Sequence, residues 1–326
     1  MRAVQILGDA TSPRITTNGS MATPVPKGAE ILVRVLAAGV TGDEVTWPEV
    51  YESKSRIPGH EVSGIIEALG PEYAGSFEVG QDVVALLTAS QGQGQAEYTV
   101  CVAEELSLKP PATTHVEAAA LPIPVLTAWQ AIVDHGKLAA GMTVLVTGAS
   151  GAVGTLAVQL AQKLVVAGGG NVAPKVIALA SSKNHDRLKQ QFGVHEVHDY
   201  DTPGWEGNIK DVDLVFDTVG GDVLTKTWET VKSNGTIVTV GDPAPEWAFD
   251  GKVKPKESVS HPEVRHVYFI VRPDSHRLTQ ALKMVGEGVI KPLEVEPFPF
   301  ENAELAWEGA RQRRRNKKVV ITFDTQ

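Results

Sequence analysis

The stretch from Thr143 to Gly154, T-V-L-V-T-G-A-S-G-A-V-G, constrains the fold of this chain more than any other. Thr143-Val144-Leu145-Val146-Thr147 is an apolar, β-branched run of strand length, and Ala152 to Leu164 has helical spacing. Only small residues lie between. A buried strand that turns through small residues into a helix is the opening unit of a doubly wound parallel sheet. Gly151 lets backbone approach a pyrophosphate with no Cβ in the way, and Gly154 lets the helix pack close to the strand. The N–H groups around Ala152 and Val153 then face phosphate oxygens. The spacing is Ala149-x-Gly151-x-x-Gly154, with alanine where the commonest fingerprint has glycine. The turn predicts dinucleotide binding by Ser150, Gly151, Ala152 and Val153.

The rhythm around this turn supports the same fold class. Strands are predicted at Lys175–Ala180, Asp213–Thr218 and Thr236–Val240, with helices at Val125–Gly136, Asn184–Phe192 and Asp222–Val231. Val165–Pro174, with three consecutive glycines, reads as a surface loop, and the Pro-rich stretch Pro243–Ser260 as another. The first 120 residues differ: Ile31–Ala37, Val62–Leu69, Gln81–Leu87 and Glu97–Val102 are short strands fenced by Gly and Pro. They predict a small β-rich domain of barrel or sandwich type. Near the end come a strand at Val264–Val271, helices at Ser275–Gly286 and Asn302–Arg311, and a strand at Lys318–Phe323. These last residues are too few for a core of their own.

At 326 residues the chain is long enough for two domains of roughly 150 residues each. Its 30 basic and 39 acidic side chains give a net charge of −9, which argues against a nucleic-acid binder held by phosphate contacts. The one cysteine, Cys101, excludes an internal disulfide framework and Cys-rich zinc modules. No apolar run reaches the length of about 18 residues that spans a membrane. Met1 to Ile6 alternates like a strand rather than a signal peptide, so the expected location is cytoplasmic. Arg311–Lys318 holds six basic residues and reads as a solvated helix end.

The end of the second parallel strand distinguishes the two nicotinamide dinucleotides. An NAD site places Asp or Glu there to accept from the ribose 2′-OH. Ala178-Leu179-Ala180-Ser181-Ser182-Lys183-Asn184 offers hydroxyls and a cation but no carboxylate. Ser181 and Lys183 suit a 2′-phosphate, which predicts NADPH. An ordinary helix N-cap beside a surface lysine is the plain alternative.

Together with Ile57–Gly64, Leu126–Gln130, Phe216–Gly221 and Tyr268–Val271, the turn resembles the medium-chain dehydrogenase/reductase superfamily, specifically its zinc-free quinone oxidoreductase and enoyl reductase branch. The resemblance implies a Rossmann domain, residues 123–261, inserted into a GroES-like catalytic domain made of residues 1–122 and 262–326. It also implies an assembly of homodimers or homotetramers. Residue by residue, Thr127 matches the threonine beside the nicotinamide, and Tyr200 the tyrosine reaching the adenosine phosphate. Val219, Gly241, Phe269, Ile270 and Val271 fall where the family lines the nicotinamide ribose and carboxamide. Asn316 is a weaker match, because Lys317 stands where glycine is usual.

The zinc branch holds its metal with a Cys, a His, a second Cys and a nearby Glu. His60-Glu61 survives here, Thr41 stands at the first Cys position, and no second Cys exists. That donor set falls short of the three protein ligands a catalytic zinc uses, so no metal is expected. Without a Lewis acid, the favoured substrate already carries its electron sink: an α,β-unsaturated carbonyl or a quinone. The developing enolate then needs hydrogen-bond donors and a proton. Thr41 is a candidate carbonyl donor and Tyr51 a candidate proton donor, with packing as the alternative role of Tyr51. Glu44, at the place of a family Asp, is expected to organise its loop, and Trp47 to shape a pocket or serve the core. Competing readings are an enoyl reductase acting on a carrier-protein-bound acyl chain, a non-catalytic NADPH-binding protein, a non-redox enzyme and, last, a zinc alcohol dehydrogenase.

Overall fold

The computed structural model describes residues 1–167, 172–250, 252–312 and 316–323. Contacts divide the chain into two compact units, Met1–Leu126 with Arg272–Gln326, and Thr127–Val271. The first unit opens with the antiparallel hairpin of β1 (Ala3–Leu7) and β2 (Arg14–Asn18). There follow β3 (Ile31–Gly39), α1 (Pro48–Glu52), β4 (Glu61–Leu69), β5 (Asp82–Leu86), β6 (Tyr98–Cys101), β7 (Leu106–Leu108) and α2 (His115–Ala119). α2 starts on a capping box: Thr114 Oγ1 accepts from the Glu117 N–H, and the Glu117 carboxylate accepts from the Thr114 N–H. α3 (Pro122–Trp129) carries the chain into the second unit.

The second unit contains β8 (Thr143–Thr147), α4 (Ala152–Ala167), β9 (Lys175–Leu179), α5 (His185–Phe192), β10 (Glu196–His198), β11 (Val212–Asp217), α6 (Gly221–Thr227), β12 (Val231–Thr239) and β13 (Arg265–Tyr268). Its strands are all parallel, in the order β10-β9-β8-β11-β12-β13. This is the doubly wound arrangement, in which the direction of strand addition reverses between β8 and β11. Val144, Leu145 and Val146 of β8 are fully buried, as expected of a strand covered on both faces.

The chain then returns to the first unit through α7 (Ser275–Gly286), β14 (Val295–Pro299), α8 (Ala303–Arg311) and β15 (Lys318–Thr322). The larger sheet there runs β14-β15-β3-β4-β5-β7, with β6 also paired to β3. Every pairing is antiparallel except β14–β15. Ile31, Val33 and Val35 of β3, Val62 and Ile66 of β4, and Trp307 of α8 fill one core. The C-terminal segment thus joins the β-rich unit through β15 and α8.

Several elements depart from the sequence expectations. The segment expected as one helix over Val125–Gly136 begins at Pro122 and widens to a π-helix over Gln130–His135, with the Gly136 N–H reaching the Ala131 carbonyl at 2.7 Å. The Arg265 guanidinium donates to the His135 carbonyl, a tertiary contact invisible to local periodicity. α6 ends at Thr227, so β12 begins at Val231 and not at Thr236, with a bulge before its pairing to Leu214.

Residues 262–271 were expected in the β-rich domain, yet β13 pairs with β12 as the sixth parallel strand, and Val264 packs in that unit's core. The strands β2, β7, β10 and β14 were not anticipated. Of the stretch expected as a loop at Val165–Pro174, residues to Ala167 continue α4, and 168–171 lie outside the described residues. Within the basic run, 313–315 likewise lie outside them; α8 ends at Arg311, and Lys318 opens β15.

Candidate active site

The glycine turn sits at the carboxyl end of β8, beside the reversal of strand order. Gly148 adopts φ +60°, and the Gly151 N–H closes the turn onto its carbonyl at 2.9 Å. A Cβ on Gly154 would lie 2.3 Å from the Gly148 carbonyl oxygen, so only glycine lets α4 start this close to the strand. Ser150, Gly151, Ala152 and Val153 are half-buried at the start of α4. The first N–H groups of a helix have no intrahelical acceptor and carry its positive dipole end, which suits phosphate. The turn therefore fits a dinucleotide.

Asp217, at the end of β11, is fully buried and ties this region together. Its Oδ1 accepts from Thr147 Oγ1 at 2.6 Å and from the Val219 N–H at 3.3 Å. Its Oδ2 accepts from Thr239 Oγ1 at 2.6 Å and from the Gly220 N–H at 3.0 Å. Thr239 Oγ1 in turn accepts from the Gly241 N–H at 3.0 Å, and Thr218 Oγ1 donates to the Thr147 carbonyl at 2.9 Å. One carboxylate thus fixes the ends of β8, β11 and β12, and with them Val219 and Gly241. In the sequence Asp217 is one residue of the Phe216–Gly221 stretch, with no separate role marked. Its signal was an Asp closing a run of buried apolar residues.

Ser181 and Lys183 lie beyond β9, next to the turn that follows β10. Ser181 Oγ accepts from Asn184 Nδ2 at 3.1 Å, and Lys183 is exposed. The Asp199 carboxylate accepts from the Ser182 N–H at 3.1 Å and the Asp201 N–H at 3.0 Å, and the Asp201 bond leads in holding it below the usual carboxylate range. Tyr200 packs against the cluster around Trp205. Phe269 stacks on the His135 ring of the π-helix at 4.5 Å, and Ile270 and Val271 follow it, with Ile270 exposed. Thr127 is buried on α3.

The β-rich unit holds the remaining candidates. Asn316 is exposed there. Tyr51 donates its hydroxyl proton to the Val45 carbonyl at 2.5 Å and packs on the core. Burial, with the Asp9 charge, pushes its phenol up. Tyr51 and Thr41 share no hydrogen bond. Thr41 instead joins Glu61 and Lys318: Lys318 Nζ donates to Thr41 Oγ1 at 3.1 Å and pairs with Glu61 Oε1, while Thr41 Oγ1 lies 3.3 Å from that same oxygen. Glu61 Oε2 accepts from the Ile123 N–H at 3.1 Å. Beside them His60 Nδ1 lies 2.9 Å from Glu44 Oε1, an oxygen that also accepts from the Gly59 N–H. Burial, the largest effect, would lower the His60 pKa, but the Glu44 charge and hydrogen bond, the Ala89 carbonyl and the Glu49 charge together outweigh it and hold the imidazole above its usual value. Glu44 thereby anchors its loop to Gly59 and His60. Trp47 leans on the His60 ring at 5.2 Å.

Comparison with known proteins identifies the architecture. The alcohol dehydrogenase GroES-like domain family matches residues 27–122, and the zinc-binding dehydrogenase family matches residues 192–321. A probable zinc-binding oxidoreductase of Arthroderma benhamiae is 30% identical, covering 92% of this chain and 90% of its own. The chain belongs to the medium-chain dehydrogenase/reductase superfamily. Human quinone oxidoreductase is 28% identical over 74% of this chain and 73% of its own. The CurK enoyl reductase superposes with a TM-score of 0.81 at 23% identity, over 98% of this chain and 99% of its own. The matches support an oxidoreductase of this superfamily served by a nicotinamide dinucleotide.

Zinc, which part of the superfamily carries, does not fit the donors present. Thr41 replaces a thiolate, and Glu61 is paired with the Lys318 ammonium, which would repel a dication. His60 is engaged by Glu44 and, through Nε2, by the Ala89 carbonyl at 3.2 Å. Among the described residues no three His, Cys, Asp or Glu side chains converge as a metal site.

Proposed function

We propose that the chain is an NADPH-dependent reductase of activated C=C bonds in α,β-unsaturated carbonyls, or of quinones, working without a metal. The observation that carries the reading is the Lys318–Thr41–Glu61 group, in which a hydroxyl, standing where the resemblance puts the first zinc thiolate, meets an ammonium. Such a group hydrogen-bonds a carbonyl but does not stabilise a free alkoxide as a Lewis acid does. NADPH over NADH is supported by Ser181 and exposed Lys183 beyond β9, while the nearby Asp199 carboxylate is engaged by the Ser182 and Asp201 N–H groups.

When bound, the reduced nicotinamide supplies one hydride and leaves oxidised. Ser150 to Val153 hold its pyrophosphate, and Ser181 with Lys183 hold the 2′-phosphate. Tyr200 would reach the adenosine phosphate. Thr127, Val219, Gly241 and Phe269 to Val271 orient the nicotinamide end, and Asn316 contributes from the C-terminal segment. The substrate β-carbon accepts the hydride, its C=C electron pair moves toward the carbonyl, and the oxygen gains negative charge. Thr41 donates a hydrogen bond to that oxygen, and a solvent proton completes the α-carbon. Tyr51 stays out of this step, because its proton is engaged at Val45.

The test is a binding titration of NADPH against NADH, followed by product analysis on small enones and quinones. NADPH binds more tightly, Lys183→Glu reverses the preference, and enones return as saturated ketones. Preference for NADH by the wild-type chain, or no reduction of either substrate class, contradicts the proposal. Thr41→Val lowers kcat by about 100-fold, the loss typical of one oxyanion donor.

A further inference from the structure

Lys318 is a largely buried cation, its side chain 10% exposed. Its ammonium has two partners, Glu61 Oε1 and Thr41 Oγ1. A threonine hydroxyl has one proton and two lone pairs. Lys318 donates into one lone pair, so the Thr41 proton must point elsewhere. Among the described residues its one acceptor is Glu61 Oε1, at 3.3 Å, longer than a well-formed O–H···O bond of about 2.7–2.8 Å. That oxygen is already held by Lys318, and Oε2 is held by the Ile123 N–H. The Thr41 hydroxyl proton is therefore only weakly held. β3 ends against this carboxylate at Gly39, where a Cβ would lie 2.6 Å from the Glu61 side chain, so the group is tightly packed in place.

Resting on the reductase reading, we propose that Lys318 is a positioning residue: its ammonium neutralises Glu61 and polarises Thr41, so that the hydroxyl proton is presented to the substrate carbonyl. No bond forms or breaks at Lys318 itself. Without its charge, the buried Glu61 carboxylate has Thr41 as its nearest side-chain donor and captures that proton. A hydroxyl that accepts from a cation is also a stronger donor than one that does not.

The test uses the full chain with NADPH and a small cyclic enone. Lys318→Met lowers kcat by roughly tenfold to a hundredfold while KM for the enone changes little. Thr41→Val loses as much, and the Lys318→Met/Thr41→Val chain loses no more than either, since both act on one hydrogen bond. Because Lys318→Met strands a buried carboxylate, Lys318→Met/Glu61→Gln is made alongside it. That chain recovers the unfolding midpoint but not kcat; recovery of both overturns the proposal and leaves Lys318 a structural role. The infrared carbonyl stretch of the enone, bound beside the oxidised dinucleotide, gives a readout independent of turnover. It lies lower in the wild type than in Thr41→Val, and Lys318→Met moves with Thr41→Val. An identical stretch in all three overturns the role of Lys318 while reduction by the wild type stands. A wild-type chain that reduces no enone or quinone overturns the reductase reading, and this inference with it.

Discussion

Asp217 shows how one residue can fix a site without touching its ligand. It satisfies two threonine hydroxyls and two backbone N–H groups in a dry environment, and each of these would otherwise be buried unpaired. Asp217→Ala removes every acceptor at once and costs roughly 3 kcal/mol or more of stability, read from urea unfolding. Asp217→Asn keeps one acceptor and costs about 1–2 kcal/mol. Both variants bind the dinucleotide more weakly, because Val219 and Gly241 lose their anchor. An Asp217→Ala chain with unchanged unfolding midpoint would contradict this account. Tyr51 makes the complementary point: a residue type suited to proton donation has its own proton engaged by the Val45 carbonyl.

At the scale of elements, β8 and β11 are locked at their start as well as at their end. Asp213 Oδ2 accepts from the Thr143 N–H at 2.8 Å, and its Oδ1 meets Lys232 Nζ at 2.5 Å. Burial would raise the Asp213 pKa, but Lys232 and the Thr143 amide hold it below the usual range. A carboxylate depressed in the folded state adds stability that is full above its unfolded value of about 3.9 and is lost as pH falls through the folded value. Asp213→Asn therefore destabilises by about 1 kcal/mol at neutral pH, a modest figure because Lys232 is partly exposed. The difference disappears in acid below the folded value. A gap that persists there would assign the loss to packing instead.

The elements also show what the sequence makes legible. The turn from Thr147 to Gly154 was readable because its constraint is local: strand, small residues and helix lie within a dozen positions. α7 was readable from its period alone. The π-helix at Gln130–His135 and the early start of β12 were not, since both depend on tertiary partners, Arg265 for the first and Val212 for the second. The edge strand β13 looked like part of the following domain because nothing in its own residues names its neighbour.

For the whole molecule, the C-terminal segment completes the Lys318–Thr41–Glu61 group. Thr41 and Lys318 stand 277 positions apart and meet because β15 pairs with β3 in the β-rich unit. No spacing rule brings such a pair together, so the sequence showed the missing thiolates but not the cation beside Thr41. The family resemblance identified the fold; the chemistry proposed for this chain draws on that ammonium. The most direct test is steady-state reduction of an enone and a quinone with NADPH, before and after exhaustive treatment with a zinc chelator. The account predicts the same kcat in both, with no gain on adding zinc. Activity that falls on chelation and returns with zinc would contradict it.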